Sequence, residues 1–211
     1  YKRQGQWLVA EADESDGSFL RLNPLMSIIT NIDADHLENY GNDFARVQAA
    51  FAEFLQRLPF YGLAVLCIDD PEVAALAAKT PRHVMSYGMS PQADVRAENV
   101  VQEGSRMRFT LRLPQGTSQE VVLALPGKHN VLNALAAAAV GWQLGVAPDA
   151  IARALEGFAG VGRRFNDLGE VTTASGAKVR IIDDYGHHPS ELEAVFAAAR
   201  GGLSLIHISE P

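Results

Sequence analysis

Three apolar runs of strand length, WLVAEA at 7–12, MSIITNI at 26–32 and LAVLCI at 63–68, constrain this chain more than any other feature. They are too continuous for a sheet with one wet face, so they read as strands covered on both faces. Between the second and third, FARVQAAFAEFLQRL repeats its apolar residues at helical spacing behind Asp43, a ready N-cap. Pro71 then opens EVAALAAK as another helix, since proline is tolerated in the first turn. Buried strands alternating with helices point to an α/β fold, a mostly parallel sheet with flanking helices. Over 94–125 the pattern changes to alternating segments, RMRFTLRL and QEVVLAL, separated by Gly104 and PQGTS. These are expected to form a small antiparallel sheet appended to the α/β core.

Further on, the Ala-rich helix NVLNALAAAAVGWQL ends at Gly145, and a second helix runs from Pro148 and Asp149 through Leu155. The glycine-rich GFAGVGRRF marks a domain border near Gly160–Gly162, after which VRIIDD reads as a strand and PSELEAVFAAAR as a helix. YKRQG at the start and LSLIHISEP at the end fit none of this and resemble translated sequencing-adapter read-through. Residues 1–5 and 203–211 are therefore expected to be foreign to the fold. The 211 residues are 47% hydrophobic and 20% charged, enough for a real core. No stretch approaches the roughly 18 apolar residues of a membrane span. The net charge of −7 argues against general affinity for nucleic acid or anionic membrane. Cys67, the single cysteine, sits in LAVLCI and reads as a buried core thiol.

Five motifs carry chemistry. EADESDG (11–17) follows a strand, and so does TNIDADH (30–36), which puts Glu11, Asp35 and His36 at strand ends where α/β folds gather ligands. Each alone also fits a solvated loop; the repetition favours a shared metal and phosphate site, since Mg²⁺ takes carboxylates together with phosphate and water. In LPGKHNVLNALAA (125–137), Lys128, His129 and Asn130 open a helix whose N–H groups attract anions, and Asn133 can read a base edge. Gly127-Lys128 is not a P-loop, because G-x-x-x-x-G-K-[ST] is not met. GVGRRF (160–165) offers Arg163 and Arg164 to phosphate across a closing domain border, or is simply an exposed basic turn. IIDDYGHHPSE (181–191) ends a strand in Asp183 and Asp184, where ribose hydroxyls are often held, and continues to Tyr185, His187 and His188. His187 can bind phosphate or move a proton near neutral pH, but the crowded spacing cannot place both histidines and both aspartates on one ion.

In their order, EADESDGSFL, TNIDADHLENYG, LPFYG, LPGKHNVLNALAA, GVGRRF and DDYGHHPSE resemble the Mur ligase family, specifically its alanine-adding branch, over residues 6–202. The resemblance implies a partial central ATP-binding domain over 1–160 and the start of a C-terminal Rossmann-like ligase domain over 161–202. It implies a cytoplasmic enzyme of peptidoglycan precursor synthesis that adds L-alanine to UDP-N-acetylmuramate, with ATP and Mg²⁺ as cofactors. By the same resemblance Glu11 and His36 ligate Mg²⁺, Asn133 meets adenine, Asn130 lines the nucleotide site and Arg163 reaches the terminal phosphate. Asp184 then holds the ribose, while Arg164, Tyr185 and His187 lie on the substrate side. His36, Arg163 and His187 are the expected catalytic groups.

The family's phosphate loop is expected upstream of Tyr1, so the chain alone is expected to be inactive. Later-acting members carry a carbamylated lysine after the Asp–His motif, and here no lysine occurs between Lys2 and Lys79. Three alternatives remain open: a sister ligase recycling murein tripeptide, a metal-dependent phosphohydrolase, and a nucleotide-binding module without catalysis.

Overall fold

The computed structural model describes residues 6–202, so the terminal segments 1–5 and 203–211 lie outside the described residues. Six strands form one mixed sheet in the order β1 (Met26–Ile29), β2 (Leu63–Cys67), β3 (His83–Gly88), β4 (Val95–Glu103), β5 (Arg106–Arg112), β6 (Ser118–Leu123). The chain divides into two compact units, one ending at Ser86 and the other beginning at Tyr87.

In the first unit β1 and β2 pair in parallel, Met26 beside Leu63 and Ile29 beside Leu66. Every residue of β2 is buried, as its unbroken apolar run requires. Helices α1 (Phe44–Gln56) and α2 (Pro71–Lys79) begin where their caps stand. Asp43 accepts the Ala45 N–H at 3.0 Å, and Asp70 accepts the Val73 N–H at 2.8 Å. Ile29, Val47, Leu55, Leu58, Leu66 and Val73 close into the core of this unit. Cys67 is buried, and that burial pushes its thiol pKa up, which leaves an inert core thiol.

WLVAEA is a correction. Residues 7–12 are not a strand, and Trp7, Leu8 and Val9 are 49%, 68% and 91% exposed. A strand needs a neighbour for its N–H and C=O groups, and among the described residues none pairs with this segment.

In the second unit β4, β5 and β6 form the antiparallel meander expected over 94–125, as the last three strands of the mixed sheet. Helix α3 (Lys128–Gln143) and helix α4 (Pro148–Glu156) follow, both at the positions read from sequence. VRIIDD becomes β8 (Lys178–Asp183), paired antiparallel with β7 (Asn166–Thr172), a strand with no sequence signal. Leu168, Val171, Val179 and Ile181 of this ribbon remain exposed, so no apolar face marked it out. Helix α5 (Pro189–Gly202) buries Ala198, whose carbonyl accepts from Gln102 Nε2 of β4 at 2.8 Å.

Candidate functional site

The candidate residues fall into two clusters, one in each unit. In the first, the acidic turn folds on itself before it meets anything else. Asp13 Oδ1 accepts the Ser15 N–H at 2.9 Å, and Asp16 Oδ1 accepts the Ser18 N–H at 2.8 Å. These bonds from Ser15 and Ser18 hold both carboxyls below the ordinary aspartate range.

The turn is tied to the short 3-10 helix Leu37–Tyr40 that follows the Asp–His pair. Asn39 Nδ2 donates to the Ser15 carbonyl at 2.9 Å, and the Tyr40 hydroxyl donates to the Glu14 carbonyl. Proximity to the carboxylates and burial raise the Tyr40 pKa, burial being the larger cause. His36 caps this helix in a left-handed conformation, φ 51°, with its N–H on Asp35 Oδ1 at 2.8 Å. Its ring lies 3.6 Å from Asp35 and 3.9 Å from Glu38.

The acidic turn and the Asp–His loop are therefore brought together, as the two strand-end motifs suggested. The way they meet differs from the expectation, because Glu11 follows no strand and is exposed. Among the described residues no group of three or more His, Cys, Asp or Glu is placed to hold a metal ion.

The second cluster forms where the start of α3, the GVGRRF loop and the DDYGHH turn meet. Gly127 sits at φ 94°, and a Cβ there would lie 2.6 Å from His129 Cε1 and 2.9 Å from Ala198 Cβ, so only glycine fits. Asn130 reaches back to the Pro126 carbonyl at 2.7 Å and to His129 Nε2 at 3.0 Å. Its side chain thus caps no helical N–H, and Gly127 stands at the N-cap. Asn133, one turn on, is exposed.

Asp184 works as a brace. Its Oδ2 accepts the Phe165 N–H and its Oδ1 the Gly186 N–H, both at 2.7 Å, which fastens the arginine loop to the turn after β8. The Tyr185 N–H adds a bond to the Arg163 carbonyl at 2.8 Å. Arg163 lies 3.7 Å from Asp183 and 5.1 Å from the Tyr185 ring centroid, a cation–π distance. Arg164 lies 3.6 Å from Glu191. The His187 ring stands edge-on to Tyr185 at 5.5 Å, with Nδ1 3.3 Å from the Tyr185 carbonyl and 3.6 Å from Glu191.

The structure thus gathers Arg163, Arg164, Asp184, Tyr185 and His187, and adds two residues that the motif reading left without a role. Glu191 accepts the N–H groups of His187 at 3.0 Å and His188 at 3.2 Å, the returning half of a capping box. Its place as third residue of the helix opened by Pro189 was the available signal. His129, half-buried, feels Asp184 and Arg164, and burial pushes its pKa below the ordinary histidine value.

The model of the Mur ligase middle domain matches residues 3–141. The chain is 99% identical over 198 residues to a UDP-N-acetylmuramate–L-alanine ligase of Stenotrophomonas maltophilia, covering 94% of this chain and 41% of that protein. It is 88% identical over 198 residues to the ligase of the same name from Xanthomonas campestris, covering 94% of this chain and 42% of that protein. The chain thus spans about two fifths of the length of these curated relatives. Among solved structures, the UDP-N-acetylmuramate–alanine ligase of Thermotoga maritima superposes with a TM-score of 0.73 at 30% identity, over 90% of this chain and 41% of that one.

Proposed function

This chain belongs to the Mur ligase family, and from that premise we propose that the protein carrying it joins L-alanine to UDP-N-acetylmuramate at the expense of ATP, in the cytoplasm, as a step of peptidoglycan precursor synthesis. The observation that carries this reading is the 99% identity over 198 residues to the Stenotrophomonas ligase of that name. The muramate carboxylate attacks the γ-phosphorus of ATP in line, the bond to the bridging oxygen breaks, and ADP and an acyl phosphate result. The amine of alanine then attacks the acyl carbon, and phosphate leaves as the amide forms.

The residues divide that work. Arg163 serves the terminal phosphate: its ion pair with Asp183 at 3.7 Å is exposed, and so weak enough to be exchanged for a phosphate oxygen. Asp184 spends one lone pair of each oxygen on its backbone bonds and keeps others for ribose hydroxyls. Asn133, exposed on α3, serves adenine, and Asn130 lines the same nucleotide site. Arg164, Tyr185 and His187 serve the sugar-nucleotide side. Glu11 and His36 are the residues of this chain that would hold a Mg²⁺, which would supply neutralisation of charge at the phosphates.

The test is phosphate release by the full-length protein with ATP, Mg²⁺ and UDP-N-acetylmuramate, with and without L-alanine. Release that requires alanine supports the ligase; release indifferent to alanine indicates a hydrolase and ends this reading. In the same assay His187→Ala should lower kcat far more than it changes the KM for ATP, at unchanged thermal stability.

A further inference from the structure

Asn130 opens α3 with its carboxamide turned back on its own chain. The Pro126 carbonyl, 2.7 Å from Nδ2, can only accept, and this settles which end of the amide is nitrogen. The second hydrogen of that nitrogen meets His129 Nε2 at 3.0 Å. Nε2 must therefore accept, which places the ring proton on Nδ1. Both amide hydrogens are then engaged within the chain, and the amide has its carbonyl oxygen to offer a ligand.

The ring is held in place for this. It packs over Gly127, where a Cβ would lie 2.6 Å from Cε1 and 2.9 Å from Nδ1. The charges that reach it are Asp184 from the turn after β8 and Arg164 from the loop before β7, with opposing effects. On its own helix Lys128 is exposed, and α5 meets this helix start through the uncharged Ala198. Burial is the larger influence and keeps the imidazole neutral at neutral pH.

We infer that His129 is a positioning residue: through its unprotonated Nε2 it holds the Asn130 carboxamide so that a nucleotide ligand is offered a carbonyl oxygen and no N–H. Such a site favours a base that donates, the exocyclic amine of an aminopurine, over one that presents a keto oxygen. Protonation of the ring would set Nε2–H against Nδ2–H and turn the amide out of this orientation. The inference rests on the ligase reading, which places the nucleotide at this helix start.

The experiment uses the full-length enzyme with His129→Gln, which keeps an accepting oxygen, and His129→Phe, which fills the space without one. The Phe variant should raise the KM for ATP about fivefold, the worth of one hydrogen bond, and narrow the preference for ATP over GTP. The KM for UDP-N-acetylmuramate should stay unchanged, and the Gln variant should restore most of the loss. In the unaltered enzyme the KM for ATP should rise only on acidification past the ordinary histidine range, because burial lowers the His129 pKa, and this rise should vanish in the Gln variant. A Phe variant matching the unaltered enzyme in ATP KM and base preference overturns the inference. Where that variant does not fold, a Gln variant that keeps the acid rise overturns it equally. Absence of alanine-dependent phosphate release in the unaltered protein defeats the ligase reading instead.

Discussion

Tyr40 donates its hydroxyl to the backbone carbonyl of Glu14, 26 residues earlier in the chain. That bond, with the one from Asn39 to Ser15, fastens the acidic turn to the loop bearing Asp35 and His36. The carbonyl of a turn is a modest acceptor, but here it fixes where the carboxylates of Asp13 and Asp16 stand relative to His36.

Tyr40→Phe should therefore act on both stability and cation use. Loss of one partly buried hydrogen bond costs about 1 kcal/mol, seen as a lower urea midpoint at unchanged slope. In the full-length enzyme the Mg²⁺ needed for half-maximal activity should rise severalfold while the KM for UDP-N-acetylmuramate stays put. An unchanged Mg²⁺ requirement would separate this tie from the proposed metal site.

Asp184→Ala should be more damaging than a ribose contact alone would make it. It leaves the N–H groups of Phe165 and Gly186 without their acceptor. Two charge-assisted bonds in a half-buried setting are together worth about 3 kcal/mol. The KM for ATP should rise with it, because the arginine loop loses its anchor. Asp184→Asn, which keeps one accepting oxygen, should recover part of the stability. Equal denaturation midpoints for Asp184→Ala and the unaltered protein would exclude the bracing role.

Glu191 gives a pH dependence with a definite sign. The His187 N–H, then the His188 N–H and Arg164, hold its carboxyl below the ordinary glutamate value of 4.5. A carboxyl whose folded pKa is depressed contributes stability that is complete above 4.5 and is lost as pH falls through the folded value. The side chain is over a third exposed, so the contribution is small, below about 1 kcal/mol. Unfolding midpoints of Glu191→Gln and the unaltered protein should differ at pH 6 and converge on acidification below 4.5. A difference that persists at the acid end would assign the effect to packing.

The 211 residues contain no G-x-x-x-x-G-K-[ST], so the polypeptide by itself should bind ATP feebly. The backbone N–H cradle and lysine of such a loop normally hold the β- and γ-phosphates. Calorimetry should find no submicromolar site, and adenosine should compete nearly as well as ATP. Tight binding of ATP with weak binding of adenosine would show that phosphate is held by other groups, Arg163 and Arg164 first among them.

The sequence by itself determined the local structure and the membership of its motifs. The starts of α1 and α2 follow from Asp43, Asp70 and Pro71, and β2 from an apolar run that tolerates no wet face. These signals act between residues a few positions apart, so the chain carries them wherever it goes. Tertiary structure alone decided the rest. WLVAEA has the composition of a strand, yet a strand exists only beside a partner, and none pairs with it among the described residues. Strand β7 is the reverse case, held by its ladder to β8 with no apolar face to announce it. The working arrangement of the site belongs to the same category. Asp184 on Phe165, Tyr40 on Glu14 and Arg164 near Glu191 join residues 19, 26 and 27 positions apart. Polar contacts across such distances leave no periodicity in the sequence, because hydrogen bonds between loops depend on where folding brings their ends.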